Sequence, residues 1–196
     1  MKTNKSKISS GIYKGRFIEL PQIDETRPTK NIVKESVINT LRTDIPYACF
    51  VEVFAGSGSV GIEAISNFSK KVYFLELNKD VAKILKNNLA GLGCENFEIK
   101  IGDSFENIKN ITKELLRDGK KAIFYFDPPF NIRENQENIY DKTIATIKAL
   151  PADVVQTVVI EHFSVYEFDD FLGVYKKYKK KVFGKTATTY FSVPME

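Results

Sequence analysis

The sequence predicts an α/β protein built on an open, mostly parallel β-sheet with helices on both faces. Two observations predict it. Strand-like apolar runs alternate with helical patterns from residue 48 onward, and a glycine-rich turn joins the first such run to the helical pattern after it.

Taken in order, residues 7–20 alternate polar and apolar around Gly11 and Gly15, which predicts a small β appendage. RPTKNIVKESVINTLR then sets Ile32, Val33, Val37, Ile38 and Leu41 on one helical face, with Thr29 as the expected cap. The next strands are ACFVEVF, KVYFLEL, FEIKI, AIFYF and TVVIE. Between them NKDVAKILKNNLAGLG reads as a helix that opens on a capping Asn78 and closes on glycine. Two final runs, VYKKYKKKVF and ATTYFSV, follow without a helix between them and predict an antiparallel hairpin finishing a seven-stranded sheet. The expected division is a basic N-terminal β extension, residues 1–28, and an α/β domain, residues 29–196.

At 196 residues, 43% hydrophobic and 28% charged, the chain is long enough for one soluble domain with a sizeable core. Its first residues carry no apolar segment of the secretory kind, and no run of about 18 apolar residues occurs, so a cytoplasmic protein without membrane contact is expected. Cys49 and Cys94 are far apart and His162 is the one histidine, which excludes a Cys/His zinc site; no metal is expected.

The net charge of +4 is unevenly spread. Lys2, Lys5, Lys7, Lys14 and Arg16 precede the first acid, Glu19, and YKKYKKK stands near the other end. Lysines with interleaved tyrosines suit a polyanion, since phosphate contacts release counterions and tyrosine faces stack on bases. Lysine is also a common guard on edge strands, and the C-terminal run fits either reading equally.

In such sheets ligands sit beyond the carboxyl ends of the strands. The first strand ends VEVFAGSGSVG, where Gly56, Gly58 and Gly61 match G-x-G-x-x-G, and Glu76 ends the second strand 20 residues after Gly56. This pattern fits an adenosine ribose, whether of S-adenosylmethionine (SAM) or of NAD. Asp103 ends the third strand and could accept from an adenine amino group; with Glu106 it also spells a helix-capping box. FGKT at Gly184 imitates the end of a P-loop, but the first glycine of that motif would fall on Lys179 and strand-like sequence follows.

The fourth strand runs into FYFDPPFN. An exocyclic amine on a nucleobase is a poor nucleophile because its lone pair is delocalised into the ring. Acceptors that bind its N–H groups favour a pyramidal, reactive nitrogen. The Asp127 carboxylate and the Pro128 carbonyl, held before a second proline, are such acceptors, and Phe130 offers a face for a base taken out of its stack. His162 is not needed as a base, since a sulfonium methyl is already activated; Glu161 and His162 are expected to shape the pocket wall. NIRENQEN after Phe130 reads as a loop, either ordering over substrate or simply solvated.

SGIYKGR, RPT, FAGSG, DPPF, VIEH and GKTATTYF occur in this order over nearly the whole chain. In that combination the chain resembles the RsmD family of bacterial 16S ribosomal RNA guanine-N2 methyltransferases. The resemblance implies a Rossmann-like class I methyltransferase fold, SAM as cofactor, and ribosomal RNA or the assembling 30S subunit as partner. It implies SAM contacts from Glu52, Phe54, Ala55, Gly56, Ser57, Gly58, Glu76, Leu77, Asp103 and Ser104. The catalytic motif would be Asp127, Pro128, Pro129 and Phe130, and substrate contacts would come from Lys5, Lys7, Lys14, Arg16, Arg27 and Thr29. Glu52 departs from the family, which usually has aspartate before FAGSG. The alternatives are methylation of adenine N6 or cytosine N4 in DNA, and an NAD-binding protein.

Overall fold

The computed structural model describes residues 4–21, 27–129 and 136–194, with backbone alone for 27–29 and 136–138. Strands β1 (Lys5–Lys7) and β2 (Phe17–Glu19) form a separate antiparallel hairpin. Helix α1 (Arg27–Thr40) follows, then β3 (Cys49–Val53), α2 (Ser59–Ser66), β4 (Val72–Glu76), α3 (Lys79–Leu92), β5 (Phe97–Ile101) and α4 (Ser104–Arg117). The chain continues through β6 (Ala122–Phe126), α5 (Gln136–Ala149), β7 (Val155–Phe163), β8 (Phe171–Leu172), β9 (Tyr175–Phe183) and β10 (Thr186–Ser192).

The main sheet has the order β5-β4-β3-β6-β7-β10-β9-β8. Its first five strands are parallel, and β10 enters antiparallel between β7 and β9. The predicted terminal hairpin is therefore present, but among the described residues the sheet has eight strands rather than seven. The extra one, β8, is too short for any residue pattern to announce it.

Strands β3 and β6 are buried at every position, as expected for parallel strands covered on both faces. Phe50, Phe74 and Tyr125 face α1, α2 and α3 through Val37, Ile62 and Leu85. Val51, Tyr73 and Phe124 face α4 and α5 through Ile111, Leu115 and Ile147. Each such aliphatic or phenylalanine side chain, once fully buried, contributes roughly 1.5–3 kcal/mol. Cys49 belongs to the second of these cores, and Cys94 packs half-buried against the first.

Helix α3 follows its sequence signals closely. The Asn78 Oδ1 accepts from the Asp80 and Val81 amides, and Gly93 ends the helix at φ 71°. Helix α1 departs from them. It begins at Arg27, so Thr29 lies within its first turn instead of capping it, and Ile32 is 56% exposed and off the buried stripe of Val33, Val37, Ile38 and Leu41. The expected loop at NIRENQEN is shorter than read, because α5 already begins at Gln136; the residues before it lie outside those described.

The N-terminal hairpin is fastened to helices of the main body. Lys34 Nζ and Glu63 Oε1 form a buried ion pair at 3.1 Å. The same ammonium donates to Ser6 Oγ and the Lys7 carbonyl, while Glu63 accepts from the Ser9 amide and hydroxyl. Asn88 of α3 pairs with both backbone groups of Glu19. Gly11, at φ 77°, runs so close to α2 that a Cβ would stand 1.9 Å from the Ser66 carbonyl oxygen.

Candidate active site

The carboxyl ends of β3, β4, β5 and β6 open into one cleft of about 670 Å³. Its walls include Glu52, Phe54, Ala55, Gly56, Ser57, Glu76, Leu77, Asp103, Ser104, Asp127, Pro128 and Pro129. Lys5 and Ser6 of the hairpin, Lys30, Asn31 and Lys34 of α1, Phe105 of α4, and Ile139 and Lys142 of α5 also line it. The expected cofactor, catalytic and pocket-wall residues thus meet at one place, with three exceptions in detail. Gly58 is not at the wall: a Cβ on it would lie 2.3 Å from Leu85, so it supports the loop from behind. Phe130 lies outside the described residues. Glu161 and His162, expected as pocket wall, are buried and do not line the cleft.

The glycine-rich loop is shaped by two acids. Glu76 at the end of β4 accepts from the Gly56 amide at 2.8 Å and, through its other oxygen, from the Asn78 amide at 2.7 Å. Glu52 of β3 spans the start of α2, accepting from Val60 N at 3.1 Å and Gly61 N at 2.9 Å, where the helix has no side-chain cap of its own. Burial pushes its carboxyl up to about 8, against the lowering effect of those two amides. Glu52 is thus a helix-capping acid at the cleft floor. Phe54 holds a left-handed φ of 66°, costly for a side chain with a Cβ, and packs edge-on against Phe105 at 5.4 Å.

Asp103 caps α4 by accepting from Phe105 N at 2.8 Å. Glu106 turns instead to Lys109 at 2.7 Å, so the capping box is only half formed. Beside Asp103, the Ser104 hydroxyl is buried without a hydrogen-bond partner in the described structure. The donor set fits an adenosine: a carboxylate with spare lone pairs at the β4 end, an exposed Leu77 face, and acceptor and hydroxyl side by side at the β5 end.

Asp127 leaves β6 with its backbone amide directed at the Val53 carbonyl, and Lys30 Nζ stands 3.7 Å from its Oδ2. Behind it, the Tyr125 hydroxyl donates to the buried Glu161 carboxylate. Burial first, then the charge of Glu161, holds that phenol well above its ordinary range. His162 is a core residue: Nδ1 donates to the Phe163 carbonyl and Nε2 accepts from Thr189, both at 2.8 Å, and burial lowers it to about 4.

The basic candidates separate. Lys5 is on the cleft, and Lys7 and Lys14 border a neighbouring groove with Asn31 and Glu35. Arg16 is turned away, donating to the Gly91 and Leu92 carbonyls at the end of α3. For Arg27 and Thr29 the described structure gives the helical backbone alone. In the C-terminal run, Lys177 pairs with Asp170, Lys180 with Glu167, and Lys181 with the Ser36 and Thr40 hydroxyls, which favours the edge-strand reading. Lys30, Lys142 and Phe105 were not anticipated. Their place depends on helices folding over the strand ends, for which the sequence carries no local signal.

Fold and cleft together define a Rossmann-like methyltransferase. The Escherichia coli structure yhhF, assigned as a methyltransferase, shares the fold with a TM-score of 0.76 at 22% identity, covering 98% of this chain and 100% of that one. The chain belongs to the ribosomal RNA small subunit methyltransferase D family: the family described as Conserved hypothetical protein 95 matches residues 6–192. The Haemophilus influenzae member is 36% identical over 133 residues, 68% of each chain. The Escherichia coli K12 member is 32% identical over 125 residues, which is 63% of this chain and 60% of that one.

Proposed function

We propose that this chain transfers the methyl group of SAM to the exocyclic N2 amino group of a guanine in 16S ribosomal RNA. One observation carries the reading: the Gly56–Glu76 pair and the Asp127–Pro128 turn face the same cleft from neighbouring strand ends. Bound SAM supplies an electrophilic methyl on a sulfonium. Glu76 would hold the ribose hydroxyls, and Asp103 with Ser104 the adenine edge. Asp127 and the Pro128 carbonyl would accept from the guanine amino group, turn its lone pair toward the methyl and stabilise the charge that develops on nitrogen. Pro129 would keep that turn stiff, and Phe130 would carry the base face. Among the described residues no helix is long and apolar enough to cross a membrane, in keeping with a cytoplasmic enzyme acting on ribosomal RNA or the assembling 30S subunit.

The test is transfer of labelled methyl from SAM to unmodified 16S RNA and to immature small subunits, followed by nucleoside mass spectrometry. N2-methylguanosine is the expected product. N6-methyladenosine or N4-methylcytosine would move the target to another amino group, and no transfer to either substrate would overturn the reading.

A further inference from the structure

A second groove, of about 590 Å³, lies between the N-terminal hairpin and α1, and Asn31 lines both it and the cleft. On the α1 side Asn31, Glu35 and Asn39 recur every four residues, so they form one polar row about 12 Å long at a rise of about 1.5 Å per residue. The hairpin supplies the facing wall through Lys7, Ser9, Ser10 and Lys14. That wall is fixed, because Ser9 Oγ donates to Glu63 and Asn67 Nδ2 donates to Ser10 Oγ, both at 2.8 Å. The side chains of Lys7, Lys14, Glu35 and Asn39 are different: they are exposed and hold no hydrogen bond or ion pair among the described residues.

The chemistry of the two walls is divided. Lys7 and Lys14 suit phosphates. Glu35 would repel a phosphate, so a carboxylate in the same groove suits the N–H groups on a base edge, and the Asn39 amide can both donate and accept there. No aromatic side chain lines the groove among the described residues, so a base in it is read by its edge and not by stacking. Its volume is within the usual range for a small-ligand site. The groove also begins where a strand must pass: an RNA whose guanine is turned into the cleft leaves the mouth beside Asn31.

We infer that this groove binds the single-stranded RNA next to the target guanine, with Lys7 and Lys14 on its phosphates and Glu35 and Asn39 reading the edge of a neighbouring base. This inference rests on the RNA methyltransferase reading and deepens it, since it makes selection depend on more than the guanine itself. As an acceptor only, Glu35 selects a base that presents an amino group over uracil.

The experiment uses a pool of single-stranded RNA oligonucleotides with a fixed central guanine and randomised positions on either side. Binding is measured in varied salt, and the bound fraction sequenced, for the wild type, Glu35→Ala, Asn39→Ala and the double variant Lys7→Ala/Lys14→Ala; methyl transfer to 16S RNA and to immature small subunits is measured in parallel. The wild type should enrich an amino-bearing base about five-fold or more at one flanking position, and Glu35→Ala and Asn39→Ala should lose that enrichment. Lys7→Ala/Lys14→Ala should keep it, bind the whole pool more weakly and flatten the salt dependence by about 0.7 in slope for each lysine. SAM affinity should stay the same in all of them, which also reports that they fold. No positional enrichment by the wild type, enrichment that survives Glu35→Ala, or an unchanged salt slope in the lysine variant overturns the groove as an RNA site. Transfer that falls in these variants on immature subunits but not on naked RNA would put a protein there and overturns it as well. If the wild type methylates 16S RNA without any dependence on the groove, the groove alone fails; groove-dependent enrichment without methylation by the wild type removes the proposed function and leaves the RNA site standing.

Discussion

Glu76 and Gly56 are joined by a hydrogen bond of 2.8 Å from the loop amide to the acid at the end of the next strand. With the Asn78 amide on its other oxygen, the carboxylate is oriented by the loop it serves and still has lone pairs directed at the cleft. Glu76→Ala should therefore weaken SAM binding by about 1–3 kcal/mol, the range for hydrogen bonds to a charged group. Isothermal titration checks it, with NAD as the control ligand. SAM affinity equal to the wild type in a folded variant would remove Glu76 from the site.

Glu52 predicts how stability depends on pH. Its folded-state value of about 8 lies above the ordinary 4.5, so the folded protein keeps a proton that the unfolded chain has lost. Its contribution is fully present below about 4.5 and is lost as pH rises through about 8. Melting temperatures measured across that window should decline with pH for the wild type and decline less for Glu52→Gln. Parallel curves would contradict the buried, protonated acid.

Gly61 lets α2 lie against the sheet. A Cβ there would stand 2.4 Å from Phe74 Cε1, 2.7 Å from Glu52 Oε2 and 2.9 Å from Val72 Cγ1. Gly61→Ala should destabilise the fold by about 1–3 kcal/mol through overpacking, despite the better helix propensity of alanine. Chemical denaturation measures this, and a gain in stability would refute it.

His162 should be irrelevant to chemistry and relevant to acid stability. Its depressed value of about 4 means that its contribution is present above about 6.5 and is lost as pH falls through about 4. His162→Gln should keep methyl transfer per folded molecule near neutral pH while softening acid unfolding. A collapse of the transfer rate without loss of fold would restore the histidine as a base.

What the sequence made legible was local or periodic. Asn78 and Gly93 mark both ends of α3 because caps are written in the residues beside the helix. FEIKI and AIFYF are strands over the same residues that the apolar runs indicated. The glycine pattern and the acid after it were readable because their spacing is fixed by the strand-turn-helix unit itself. The contacts that a pattern cannot carry were not readable. Arg16 ends on α3 carbonyls 75 residues away, and Lys30 meets Asp127 only because α1 crosses the strand ends. Thr29 resembles a cap and so points to a later start for α1, yet a proline is tolerated within the first turn and the helix begins before it.

Asp127→Asn, in single-turnover transfer of labelled methyl to 16S RNA at saturating SAM, bears most directly on whether the DPP turn performs the chemistry. The variant keeps the shape and one acceptor but loses the charge. Transfer should fall by about 10²–10³, the scale for removing one preorganised electrostatic partner, while SAM binds as in the wild type. Near-normal transfer by Asp127→Asn would contradict the mechanism and reduce Asp127 to a residue that turns the chain.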